Sequence, residues 1–169
     1  LNIPYIGNDE YIYQNFTNSK ISIAVGIGLI SNFSSRLNLI KKYIENNFTF
    51  PSIISINAII NEDVIIKNGT CIMDGVVVNS CSTIGEYSIL NTKCSVDHDC
   101  KIGSNVHIAP GATLSGEVIV ENNVLIGSGS IIIQSIRICS NVIIGAGSVV
   151  TKNITEPGTY VGIPARKIK

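Results

Sequence analysis

The sequence predicts an all-β solenoid: short parallel strands wound three sides to a coil. Three observations carry this. Every sixth residue from Ile54 is aliphatic: Ile54, Ile60, Ile66, Ile72, Val78, Ile84, Leu90, Val96, Ile102, Ile108, Leu114, Val120, Ile126, Ile132, Ile138, Ile144 and Val150. The residue four places on is usually small or β-branched, as at Ala58, Thr70, Val76, Ser82, Ser88, Cys94, Cys100, Ala112, Ser130 and Ser148. Glycine recurs directly after the aliphatic position at Gly85, Gly103, Gly127 and Gly145.

A period of six is neither the 3.6 of a helix nor the alternation of a lone strand. It suits a chain that lays down a short strand, turns a corner and repeats. Three hexapeptide sides close one coil, with the aliphatic position inward and the small one beside it. Glycine and asparagine near the corners tolerate positive φ. The run from Ile54 to Thr155 contains no break in register. At about 4.8 Å per coil it makes a prism roughly 27 Å tall. The chain therefore divides into residues 1–53, the solenoid 54–155 and a tail 156–169.

Residues 1–53 do not follow the period. Ile3–Gly7 and Lys20–Gly26 read as short strands ending in glycine. Ser34–Glu45 reads as a helix capped by Ser34 or Ser35, with Leu37, Ile40 and Ile44 as its apolar stripe. Strand–helix order suggests a small partial α/β, Rossmann-like segment whose glycine-rich first turn is absent. Val25-Gly26-Ile27-Gly28 is too short to replace that turn. The chain starts at Leu1 and its only Met is Met73, so the expectation is that the native start, with a first βα unit, is missing.

Twelve basic residues balance twelve acidic ones without a Lys/Arg block, which argues against a nucleic-acid or anionic-membrane surface. Apolar runs such as Ile131–Ile133 are too short to span a bilayer. Without a secretory leader pattern, and with five cysteines (71, 81, 94, 100, 139) lacking CxxC spacing, a cytoplasmic protein with reduced thiols is expected.

Only two histidines exist, and both fall off the inward position. His98 sits in Ser95-Val96-Asp97-His98-Asp99-Cys100. A neutral imidazole takes a proton from an attacking amine or hydroxyl, and flanking carboxylates hold its tautomer and stabilise its cation. The bland alternative is a solvated polar corner. Gly116 lies three hexapeptides after His98 and should stack one coil above it; Ser128 and Ala146 share another column. His107 lies half a coil from His98 and should project from a different side. The two histidines can meet at one centre only if prisms pack side by side, so a homotrimer with sites between subunits is expected.

The strings VDHDCKIG, HIAPGATLSG, IGAGSVV and VGIPAR resemble those of the bacterial nucleotide-amino-sugar N-acetyltransferases, whose wider family includes sialic-acid-type O-acetyltransferases. The resemblance implies a left-handed coil, acetyl-CoA as cosubstrate and a nucleotide-linked amino sugar as acceptor. It implies His98 as general base, Asp99 as the acidic neighbour raising its basicity, and Gly116 N–H as oxyanion donor. It further implies that His107 contacts acetyl-CoA and that Ser128 and Ala146 offer backbone contacts to the pantetheine arm. Asn91 and Asp97 fall on the substrate side, and Gly162–Arg166 resembles a tail near the CoA end.

Four rival readings remain open at this point. A sugar O-acetyltransferase would use the same base. A cysteine nucleophile fares poorly, since Cys94 and Cys100 fall at the small inward position. A zinc-dependent γ-type carbonic anhydrase would need three histidines, so no metal is expected. A non-catalytic scaffold would need no imidazole.

Overall fold

In the computed structural model, which describes residues 3–16, 21–28 and 33–168, the six-residue period becomes a parallel β-solenoid. The strands β1 (Ile53–Ile54), β2 (Ile59–Ile60) and β3 (Ile65–Ile66) form the first coil, and the series runs unbroken to β17 (Val149–Val150). Strands one full coil apart stack in parallel: Ile53 on Cys71, Ile59 on Val77, Ile65 on Thr83. Three faces result, named here first, second and third after β1, β2 and β3. The tail adds β18 (Gly158–Val161) to the end of the first face and folds β19 (Arg166–Lys167) antiparallel against it.

The core is the ladder of inward aliphatics. From Ile72 to Val150 every one of them is buried, whereas Ile54 is 45% exposed at the open N-terminal end, where no coil lies beneath it. Most of the small positions beside them are buried too.

The corners bear out the expectation that glycine and asparagine there take positive φ, and extend it to other residues. Positive φ does not fall on the glycines that follow the aliphatic position. It falls two residues later, at every sixth residue from Asp63 to Gly147, with φ between 53° and 70°. Ten of these fifteen residues are not glycine, among them Tyr87 and Asp99. Each such conformation costs about 1–2 kcal/mol outside glycine, less for Asn and Asp. From Cys81 onward the N–H of these residues donates to the preceding coil, as from Asp99 to Ser80 O at 3.1 Å, which offsets that cost. Gly85, Gly103 and Gly127 serve close approach instead: a Cβ at Gly127 would stand 2.6 Å from the backbone nitrogen of Ala146.

The N-terminal segment departs further from its reading. Residues 3–8 form no strand, and 21–28 contribute only an isolated bridge between Ser22 and Thr49; Lys20 lies outside the described residues. The described residues thus do not bear out a Rossmann-like unit. An unexpected helix, α1 (Asp9–Asn15), is capped by the Asn8 side chain, which accepts from Tyr11 N at 2.9 Å. Its signal is in the sequence: Asn8 followed by Asp9 and Glu10, a capping residue and two carboxylates at the positive end of the dipole.

The second helix, α2 (Phe33–Glu45), starts earlier than expected, so Ser34 and Ser35 sit inside its first turn. Its buried stripe is Arg36, Ile40 and Tyr43, while Ile44 is 44% exposed. Tyr43 and Ile40 join Phe48 and Phe50 in a small second core, and the Phe50 ring meets Tyr87 of the solenoid edge-on at 5.5 Å. Arg36 explains the altered stripe. Its guanidinium is buried and donates to Ile27 O at 3.0 Å, Tyr87 O at 2.6 Å and Asn105 Oδ1 at 3.0 Å. Asn105 in turn donates to Asn123, and Asn123 to Asn141, up the corner between the third and first faces. Helix and solenoid are thereby tied through a polar ladder.

Candidate active site

His98 stands on the corner between β8 (Ser95–Val96) on the second face and β9 (Lys101–Ile102) on the third. Its Nδ1 lies 2.8 Å from Asp99 Oδ2, and both side chains are more than half exposed. With Nδ1–H donating to the carboxylate, Nε2 is left as a bare acceptor. Asp99 and, after it, the charge of Asp97 push the His98 pKa up from its ordinary value. Asp97 is itself held low by a hydrogen bond from Asn79 Nδ2 (2.8 Å) and by the His98 N–H (2.9 Å), both on Oδ1.

Gly116 lies one coil further on, against the imidazole. A Cβ there would stand 2.6 Å from His98 Cε1 and 2.7 Å from Nε2, so only glycine admits the ring. The His98 carbonyl accepts from Glu117 N at 2.9 Å, which fixes the stacking. Among the described residues the Gly116 N–H donates to no partner. A bare basic nitrogen thus packs against a residue that also carries a backbone N–H, groups suited to a proton transfer and a developing oxyanion.

His107 projects from the first face, on β10 (His107–Ile108), rather than from the corner that bears His98. Asn91 Nδ2 donates to its Nε2 at 3.2 Å, which leaves the ring proton on Nδ1. Both line a cavity of about 120 Å³ with Val25–Gly28, Met73 and Ile89. The stretch Val25-Gly26-Ile27-Gly28, too short to form a phosphate-cradling turn, therefore walls the cavity that Asn91 and His107 line. Among the described residues, nothing within 4 Å would meet a Cβ at Gly26 or Gly28.

Ser128 and Ala146 stack on the remaining edge, between the first and second faces, with Gly147 N donating to Ser128 O at 2.8 Å. Both are exposed, and their neighbours Gly129 and Gly147 face open space. This edge is small, uncharged and exposed. At the C-terminal end of the prism the tail borders a cleft of about 250 Å³, lined by Arg166 and by Lys152, which continues the corner column of His98 and Gly116. Within one chain, then, Asp97, His98, Asp99 and Gly116 come together, and Asn91 and His107 come together. Ser128 and Ala146 occupy a third place, across the second face from His98.

The two inward cysteines are poor nucleophiles. Burial pushes the Cys94 thiol up to about 12 and the Cys100 thiol up to about 11, so neither supplies thiolate near neutrality. Among the described residues no cluster of three or more His, Cys, Asp or Glu side chains is placed to hold a metal, and no helix is long and apolar enough to cross a membrane.

Comparison with known proteins agrees with this fold. Residues 81–116 match the bacterial transferase hexapeptide model (six repeats), and 117–152 the hexapeptide repeat of succinyl-transferase. A GDP-perosamine N-acetyltransferase of Escherichia coli O157:H7 is 37% identical over 66 residues, 39% of this chain and 30% of that protein. The acetyltransferase domain of PglB from Neisseria gonorrhoeae, solved with acetyl coenzyme A, is 30% identical with a TM-score of 0.90; the match covers 99% of this chain and 80% of that one. PerB from Caulobacter crescentus, solved with CoA and GDP-perosamine, is 30% identical with a TM-score of 0.79 over 83% of this chain and 68% of that one. The chain spans less than a third of the curated relative's length and most of the solved domains. With a relative of 30% identity covered over four fifths of its length, the chain belongs to the family of perosamine- and PglB-type hexapeptide-repeat acetyltransferases.

Proposed function

We propose that this protein transfers the acetyl group of acetyl-CoA to the amino group of a nucleotide-linked amino sugar, with His98 as general base. The observation that carries the reading is the imidazole held by Asp99 directly over Gly116. The relatives solved with acetyl-CoA, CoA or GDP-perosamine supply the substrate class. The amine nitrogen attacks the thioester carbon while His98 Nε2 takes its proton. The Gly116 N–H donates to the carbonyl oxygen as it gains charge. The C–S bond then breaks, and the thiolate leaves with the proton from His98.

Ser128 and Ala146 hold the pantetheine arm through their backbone, His107 touches the acetyl-CoA, and Asn91 and Asp97 face the acceptor. Lys152 and Arg166 in the tail cleft suit the CoA phosphates. His98 and the Ser128–Ala146 edge lie on opposite sides of the second face. Its outward strand residues Ile59, Val77, Ser95, Thr113, Ile131 and Val149 carry no charge. A homotrimer packed side by side brings the base of one protomer to the arm of its neighbour. The site works in the cytoplasm, where acetyl-CoA is available.

Incubation with acetyl-CoA and GDP-perosamine or other 4-amino-sugar nucleotides, with NMR of the product, tests the reading: an N-acetylated sugar is expected, and an O-acetylated one replaces it. In the His98→Ala variant kcat falls about 10²–10⁴-fold. The wild-type rate rises with pH through a value above that of an ordinary imidazole, because the base must be neutral and its cation is stabilised. Asp99→Asn removes that stabilisation and moves the inflection to lower pH. Unchanged turnover in His98→Ala removes His98 from the mechanism.

A further inference from the structure

The imidazole of His98 and the carboxylate of Asp99 are exposed, so packing does not set their direction. Their aim is inherited from the backbone of the corner 97–100. What holds that backbone is inside the prism. On the edge between the second and third faces, the small inward positions are Val64, Ser82, Cys100, Val118, Ile136 and Ile154. Four are aliphatic. The two that carry a hydrogen-bonding group lie under the two corners of the site.

Ser82 is wholly buried. Its Oγ donates to Asp97 O at 2.7 Å and accepts from Cys100 N at 3.0 Å, spanning the corner that bears His98 from one end to the other. One coil on, Cys100 Sγ donates to Ser115 O at 3.2 Å, inside the corner that bears Gly116. Its raised pKa, from burial, keeps that thiol protonated and therefore a donor. From outside, the chain Asn61→Asn79→Asp97 pins the first corner's entry residue at 2.8 Å per step.

We propose that Ser82 and Cys100 are positioning residues, which register the base on its corner with the oxyanion donor on the next. The proposal rests on the reading of His98 and Gly116 given above. Each clamp joins a side chain on one coil to backbone on the next, so a change in either tilts one corner against the other. A misplacement near 1 Å at a reacting centre costs on the order of 10²-fold in rate. The groups that face His98 are Asp97 and Asp99 on its own corner and Glu117 on the next coil. Its titration therefore reports how the corner is held.

The purified full chain is tested with Ser82→Ala, Ser82→Cys and Cys100→Val, with Thr70→Val as control. Thr70 is equally buried and donates to Gly85 O at 3.0 Å, but under a corner that bears none of the proposed site. Two readouts are taken: steady-state kinetics with acetyl-CoA and GDP-perosamine, and the NMR titration of the His98 ring. Ser82→Ala is expected to lower kcat about ten-fold with little change in either KM, and to shift the His98 pKa. Ser82→Cys should restore most of both, since Cys100 shows a thiol making this bond. Cys100→Val should lower kcat while leaving the His98 titration in place, and it carries the test if Ser82→Ala does not fold. Thr70→Val should leave both readouts native. If Ser82→Ala and Cys100→Val match Thr70→Val in kcat and in titration, the clamps are structural only. If His98→Ala keeps full turnover, the base assignment fails instead, and the His98 titration still decides whether Ser82 orients the ring.

Discussion

The solenoid and the segment before it belong to one chain, yet one can be read almost residue by residue and the other cannot. In the solenoid each inward residue is one of seventeen doing the same job, stacked on a partner one coil away. A rule that holds seventeen times is visible without coordinates. In residues 3–50 each contact is made once: Tyr43 to Asp9 at 2.7 Å, Arg36 to three scattered acceptors, Phe50 to Tyr87. Redundant packing leaves a pattern in the sequence, and single contacts leave only composition.

The contrast can be tested by variants. The largest effect belongs to the middle of the prism. Leu114→Ala removes a fully buried side chain between two coils and should cost about 2–5 kcal/mol, whereas Ile54→Ala at the open end should cost less than about 1 kcal/mol; denaturant melts of both decide it. Equal losses would mean that something covers the end coil.

Next comes the tie between the regions. Arg36→Met leaves Tyr87 O, Ile27 O and Asn105 Oδ1 without their donor, at about 1–3 kcal/mol. Hydrogen exchange should quicken in α2 while the coils above Val120 keep their protection. The smallest effect is at Ile44: Ile44→Ser should change stability by no more than about 0.5 kcal/mol, since the residue is 44% exposed despite its place in the apolar spacing. A larger loss would revive the Leu37–Ile40–Ile44 stripe.

Much of the fold is legible in the sequence, and the misses have physical causes. The glycine after the aliphatic position is visible, but its reason is close approach between coils, while the left-handed corner residue lies two places on and is mostly not glycine. The expected helix stripe fails because Arg36, a charged residue, occupies the buried face, and hydrophobic spacing cannot anticipate a guanidinium satisfied by carbonyls. At the site, the Asp-His-Asp string and the one-coil offset to Gly116 are plain, and the structure stacks them as the register implies. The wall formed by Val25–Gly28 is not, since nothing in that stretch says which face it will meet. Cys100 falls at a space-filling position, and its bond to Ser115 O emerges only when corners are stacked.

The most direct test of the account is subunit mixing. His98→Ala and Ala146→Trp, each inactive alone, are co-expressed and purified as mixed assemblies. If one protomer supplies the base and its neighbour the acetyl-CoA edge, random trimers regain about a quarter of the wild-type sites, and activity returns accordingly. If mixed assemblies stay as inactive as either parent, base and acetyl-CoA edge act within one chain, and the side-by-side site is wrong.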